Sequence, residues 1–311
     1  MLHAFSMTWW CTGVRWRAGG GPVLGWYAPG RGERESPLVF GGAVAFRVRG
    51  GRRCLGVRRG GRWTECPAGA AVPGRVTRAQ CEECARVDRA HSVAADTFAD
   101  DPRPYHVYVA WFGPGLVKVG ITGVARGGAR LLEQGAVAYT WLGRGPLMAA
   151  RRTEELLRTA LGVPDRIPYA RKRALRARLP DAAERAAELA GLHRKAAALG
   201  GRPESLEWLA PEVVDHGEVF GLAALGRFDG SAGPGRVVGE LTDGGLVAGT
   251  LVAAAGPDLH LAVGGPGSER GLVIDSRLMS GWRLEGASDG ESRPEVTVPV
   301  REIPVVQGGL F

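Results

Sequence analysis

The sequence predicts a multi-domain α+β protein. It should have a β-rich N-terminal region, a small α/β core, a helical segment and a β-barrel-like C-terminal region. Three observations carry this expectation. Short β-prone runs broken by Gly and Pro fill residues 7–65 and return from about residue 217. Helical patterning is concentrated between residues 129 and 215. Four of the five cysteines, Cys54, Cys66, Cys81 and Cys84, fall within thirty-one residues. The expected boundaries are 1–103 for the N-terminal region with its cysteines, 104–180 for the core, 181–215 for a helical connector, and 216–311 for a barrel or sandwich ending in a tail peptide.

The N-terminal strands are read from "VLGWYAP", "LVFGGAVAFRVR" and "RCLGVRR". The cysteines follow as Cys54-x11-Cys66-x14-Cys81-x2-Cys84, the last pair opening a short helical piece. In a chain without a secretory signal such a cluster favours metal over disulfides. The Cys-x-x-Cys turn lets two thiolates face one tetrahedral Zn²⁺, and the two separate cysteines complete the site. His91 is a rival ligand. The intervening segment has little apolar content, so a structural metal would help it fold. Cys11 reads as an ordinary buried thiol.

Next comes "YHVYVAWFGPGLVKVGIT", residues 105–122, which reads as a hairpin turning at Gly113-Pro114-Gly115. That loop pairs Phe112 with Leu116, Ala110 with Lys118 and Tyr108 with Gly120. Alternation then puts Val107, Val109, Trp111, Val117, Val119 and Ile121 on a core face. Tyr108 and Lys118 share the other, less apolar face as diagonal neighbours. Lys118 stands out because the chain has only three lysines among forty basic residues.

The helical stretch begins around Arg130 to Gln134. A strong helix follows in "GPLMAARRTEELLRTALG", with Pro146 at its start and Gly162 at its stop. Leu147, Ala150, Glu154, Leu157 and Leu161 form its inward stripe, which puts a carboxylate among apolar positions. "DRIPYARKRALRARLP" reads as a basic helix, and "DAAERAAELAGLHRKAAALGG" as one capped by Asp181. "PESLEWLAPEVVDHG" reads as a fourth. Beyond it, "VFGLAALGRF", "GRVVGELT", "GLVAGTLVAAA", "LHLAVGG", "GLVIDSRLMSGWRLE" and "VTVPV" are β-prone segments with Gly-rich turns.

A Tyr in the first strand, a Gly in the second, an Arg on the next helix and an inward Glu on a later one together resemble the GIY-YIG endonuclease domain. His106-Val107-Tyr108 stands where that family has GIY, and Lys118-Val119-Gly120 where it has YIG. Arg130 and Glu154 match its helix arginine and its metal-binding glutamate. The resemblance covers residues 104–162, with His106 in place of Gly and Lys118 in place of the second Tyr. It implies phosphodiester hydrolysis at one divalent ion, Mg²⁺ or Mn²⁺, held by Glu154. Tyr108 or Lys118 would orient or deprotonate the attacking water, and Arg130 with Arg126 would offset developing charge. The whole arrangement is also similar to an uncharacterised prokaryotic family with cysteines before the hairpin, "EQGA" after it and a β-rich tail.

Charge fits a polyanionic partner. Arg and Lys outnumber Asp and Glu by 15 to 8 in residues 1–100 and by 17 to 8 in residues 101–200, whereas residues 201–311 hold 8 against 16. Nucleic acid is therefore the expected partner, DNA before RNA, with Arg171, Lys172, Arg173 and Arg176 tracking phosphates beside Arg126. No apolar run spans a membrane and no secretory signal opens the chain, so a cytoplasmic location and no membrane partner are expected. The tail "QGGLF" resembles the peptide with which bacterial replication and repair proteins bind the sliding clamp. Gln307 would make directional hydrogen bonds, and Leu310 and Phe311 would fill an apolar pocket. The alternative for the tail is a final core strand. The expected function is a DNA-processing or repair nuclease. Its alternatives are a catalytically inactive zinc-containing binding module and an RNA- or translation-associated protein.

Overall fold

The structure is a computed structural model and describes residues 8–17, 19–90, 101–164, 166–228, 235–265, 268–287 and 295–304. His91, Gln307, Leu310 and Phe311 lie outside the described residues.

In chain order the first elements are β1 (Trp10–Trp16), β2 (Pro22–Ala28), β3 (Gly32–Pro37), β4 (Ala43–Arg49), β5 (Val57–Arg59), β6 (Arg62–Thr64) and α1 (Glu82–Ala90). Then come β7 (Tyr105–Gly113), β8 (Leu116–Gly123), α2 (Ala129–Gln134), β9 (Ala138–Gly145), α3 (Leu147–Leu161), α4 (Tyr169–Leu175), α5 (Ala182–Ala197), β10 (Glu207–Trp208) and β11 (Val213–Asp215). The last are β12 (Arg236–Val238), β13 (Leu246–Ala255), β14 (Asp258–Val263), β15 (Arg270–Asp275), α6 (Ser276–Met279), β16 (Arg283–Gly286) and β17 (Val300–Glu302). The fold is α+β and mostly sheet. The chain divides into two units, Met1–Thr97 with Ala232–Glu302, and Phe98–Ser231 with Ile303–Phe311.

The first unit is built on a seven-stranded sheet of order β16-β4-β13-β14-β15-β12-β17. Strand β4 comes from the N-terminal β-rich stretch, yet it pairs with β13 and β16 from the C-terminal one. The two stretches that the sequence separates therefore share one sheet. The sheet is open: among the described residues there is no closed barrel. Its edges are managed instead by short charged strands, Arg283–Gly286 on one side and Val300–Glu302 on the other. A three-stranded meander, β1-β2-β3, adds Trp16, whose indole donates to the Gly256 carbonyl at 2.9 Å. Buried Arg52 donates to the carbonyls of Ser280, Pro73, Val76 and Arg277, tying three loops together.

The second unit is an antiparallel sheet in which β7 is central, flanked by β8 and β9. The hairpin holds the register expected at Ala110–Lys118 and Tyr108–Gly120. At the turn it departs: Leu116 sits opposite Gly113, and Phe112 lies in a bulge. The expectation of one core face and one less apolar face is corrected. Both faces are buried, because helices cover both. Trp111 donates to Glu188 of α5 at 2.6 Å, while Leu131 of α2 and Leu175 of α4 pack with Tyr108, Ala110 and Phe112.

Helix α3 starts after Pro146 and stops at Gly162, whose φ of 62° ends it in the left-handed region. The Asp181 side chain caps α5 by accepting from the Glu184 N–H at 2.8 Å. Three expectations fail here. Residues read as a fourth helix form β10 and β11, which pair with the open edge of β9. Residues 222–228, read as a strand, form a 3₁₀ segment. The basic helix is only Tyr169–Leu175. In the first case an unpaired sheet edge outweighed a weak helical pattern, since backbone groups left beside it need partners.

Candidate functional site

Two constellations emerge. In the first unit, the sulfur atoms of Cys54, Cys66, Cys81 and Cys84 lie within 4.8 Å of one another. Local structure puts them there. Cys54 follows an isolated bridge between Arg53 and Ala71, and its N–H donates to Ala70 O at 2.8 Å. Cys66 follows β6, and Cys81 and Cys84 open α1. The Cys66–Cys81 sulfur separation is 3.8 Å, which is what Zn–S bonds of about 2.3 Å give in a tetrahedron. Backbone N–H groups are aimed at these sulfurs, Gly56 at Cys54 from 3.4 Å, and Ala70 and Ala68 at Cys66. Gly56 is required there: a Cβ would lie 1.9 Å from Thr64 O. Burial pushes the Cys66 thiol up, but those N–H groups and the neighbouring cysteines bring it down to about 7. Burial and the adjacent thiols push Cys84 upward. Four converging sulfurs with amide donors can hold a zinc ion, because a cation is what lets all four thiols ionise.

The second constellation surrounds Tyr108, which is 1% exposed. Its ring lies across β8 over Gly120, where a Cβ would come within 2.4 Å of the hydroxyl. Gln134, at the end of α2, donates from Nε2 to the Tyr108 hydroxyl at 3.0 Å. Lys118 Nζ approaches Gln134 Oε1 at 3.5 Å. Burial raises the phenol's pKa, and the Gln134 hydrogen bond opposes it. The charges of Arg130, Glu154 and Arg126 also act on the phenol, the arginines lowering its pKa and the carboxylate raising it. Arg126 and Arg130 both pair with Glu133, Arg130 at 3.8 Å. Lys118 is thus joined to Tyr108 through Gln134, and the charges of Arg126, Arg130 and Glu154 reach the phenol. Trp141 meets Tyr108 edge-on at 6.2 Å and tilts against His106 at 4.4 Å.

The basic helix is corrected in part. Lys172 and Arg176 point inward. Lys172 Nζ donates to the Gln134 carbonyl at 2.9 Å and lies over the rings of Phe112 and Tyr169. Arg176 donates to the Gly135 carbonyl. Both are almost fully buried and hold the C-terminal end of α2; they are not on a phosphate-facing surface. Arg171 stays exposed and Arg173 half-exposed beside Tyr169. Gln134 is the site residue that patterning missed. Its rarity was the available signal, because the chain has only three glutamines.

No helix among the described residues is long and apolar enough to cross a membrane. Comparison with protein families matches residues 41–284 to a family described as a protein of unknown function (DUF2797). No curated protein and no solved structure matches the chain.

Proposed function

The chain belongs to the DUF2797 family of unknown function, and from that premise we propose that its Phe98–Ser231 unit is a GIY-YIG-like phosphodiesterase core acting on nucleic acid, DNA before RNA. The observation that carries the reading is the neighbourhood of Tyr108, where Arg130, Glu154 and Arg126 all act on one phenol and Gln134 links it to Lys118. Tyr108, Arg130 and Glu154 are residue types that the resemblance requires, on the same successive elements, and Lys118 stands where it has a second Tyr. The half-buried Glu154 on α3 supplies the carboxylate oxygen that Mg²⁺ or Mn²⁺ prefers. Such an ion, when bound, would polarise the scissile phosphate. Arg126 and Arg130 would turn from Glu133 toward phosphate oxygens, and Lys118 would hold the attacking water or a phosphate oxygen. The four-cysteine centre, carrying zinc, would be structural.

The test is cleavage of supercoiled and single-stranded substrates by the purified protein. Nicking should require Mg²⁺ or Mn²⁺ and fall at least about a hundredfold in Glu154→Ala. Metal-independent nicking, or full activity in that variant, would sink the reading. A second reading, a binding module without cleavage, draws on the pairing of both arginines with Glu133. Tight binding without cleavage under every metal would establish it.

A further inference from the structure

We propose that Gln134 is a positioning residue, fixing the direction of a Lys118–Gln134–Tyr108 relay so that the phenol donates its hydrogen to a phosphate-type oxyanion. The inference rests on the phosphodiesterase reading of the same site and assigns Tyr108 the part of donor, not base.

The direction follows from donor inventory. An ammonium donates and cannot accept. Lys118 Nζ faces Gln134 Oε1 at 3.5 Å, so the amide oxygen belongs on the Lys118 side. The amide nitrogen is then turned to Tyr108, 3.0 Å from its hydroxyl oxygen. An amide N–H₂ is also donor-only, so the phenol oxygen accepts and its own hydrogen must point elsewhere. Among the described residues no acceptor takes that hydrogen. A buried donor left unpaired is costly, which marks it as reserved for a ligand.

Two members of the relay, Gln134 and Tyr108, are held in place. Lys172 fixes the main-chain carbonyl of Gln134 at 2.9 Å and Arg176 fixes that of Gly135. Tyr108 cannot slide, because its ring rests on Gly120 and packs with Leu131, Ala136 and Tyr139. The ligand's sign follows from the balance of charge at hand: Arg126 and Arg130 act on the same phenol against the single carboxylate of Glu154, and Lys118 stands at the head of the relay. Burial keeps the phenol protonated, which a donor needs and a general base does not.

The full-length protein is titrated with inorganic phosphate, followed by ³¹P line broadening, and with a fluorescein-labelled oligonucleotide, followed by anisotropy. Gln134→Glu is the decisive variant. Its carboxylate would accept from both Lys118 and Tyr108, reversing the last link and capturing the phenol hydrogen. Gln134→Glu and Tyr108→Phe should each weaken phosphate binding by about tenfold, and the double variant by no more than either alone. Mere packing damage would make the losses add. If Gln134→Glu does not melt cooperatively, Lys118→Met replaces it, with the same expected loss and the same non-additivity with Tyr108→Phe. Variants that bind phosphate like the wild type, or losses that add, overturn the relay. Phosphate binding without oligonucleotide binding sinks the nucleic-acid reading alone. Oligonucleotide binding with unaltered variants sinks the relay alone, and a wild type that binds neither sinks both.

Discussion

At Glu33 one carboxylate takes three donors, and its ionisation gives the fold a measurable acid sensitivity. Arg58 and the Trp63 indole donate to it at 2.8 and 2.7 Å, and Arg15 pairs with it as well. These bonds join β1 and β3 to the β5–β6 hairpin beside the cysteines. Burial pushes the carboxyl up, but the donors outweigh it and hold it at about 2, below its ordinary 4.5. A depressed carboxylate stabilises the folded state above its unfolded pKa, and that contribution is lost as pH falls through the folded value. Urea unfolding should therefore show wild-type stability dropping between about pH 4.5 and pH 2 more steeply than in Glu33→Gln. Parallel curves would refute the linkage. None of this was legible in the sequence, where Glu33 lies in the charged stretch "RGERES" and looks like a solvated strand edge. At the other site, the Tyr108–Gly120 pairing was legible from the hairpin pattern, although the loop is Pro114-Gly115 and a bulge at Phe112 restores the register that a three-residue loop would give. The reason for Gly120 was not, because it depends on where the Tyr108 ring lies.

Among the elements, the segment that carries the cysteines has little apolar core of its own, so a metal held by its four sulfurs would stabilise it. Strands β5 and β6 have three residues each, and the apolar cluster around them consists mostly of the cysteines themselves with Val57 and Val72. Removing metal with a strong chelator, or making Cys66→Ser, should open residues 51–90 to proteolysis while the two large sheets keep their far-UV signal. Purified protein should carry about one zinc per chain by elemental analysis. Unchanged protease resistance after complete metal removal would show that the cluster folds without it. The cysteines were legible by spacing, and the caps of α3 and α5 by Pro146, Gly162 and Asp181, because each acts on its immediate neighbours. The basic helix was legible as basic but not in its direction. Lys172 and Arg176 are four apart, so they lie on one face, and that face meets carbonyls freed at the end of α2. A run of cations gives no sign of which members are satisfied by a distant backbone.

For the molecule as a whole, the decisive contact is β4 with β13 and β16, about two hundred residues apart in sequence. Truncation after residue 231 should leave β4 without either partner, so the first unit loses its seven-stranded sheet and the fragment aggregates through that edge. Hydrogen exchange should find residues 43–49 unprotected in the fragment and protected in the full chain. Protection in both would mean that the N-terminal stretch folds alone. The sequence by itself determined what is set by near neighbours and by residue chemistry: the α+β class, the hairpin register, the helix caps and the four-sulfur cluster. The tertiary structure alone decided that two distant β-rich stretches share one open sheet and that Glu207–Trp208 and Val213–Asp215 are strands. It also decided that Lys172 and Arg176 face inward, and that Gln134 links Lys118 to Tyr108. Each of these depends on a partner far along the chain, and a backbone edge or a buried carbonyl has no local signature before the fold creates it.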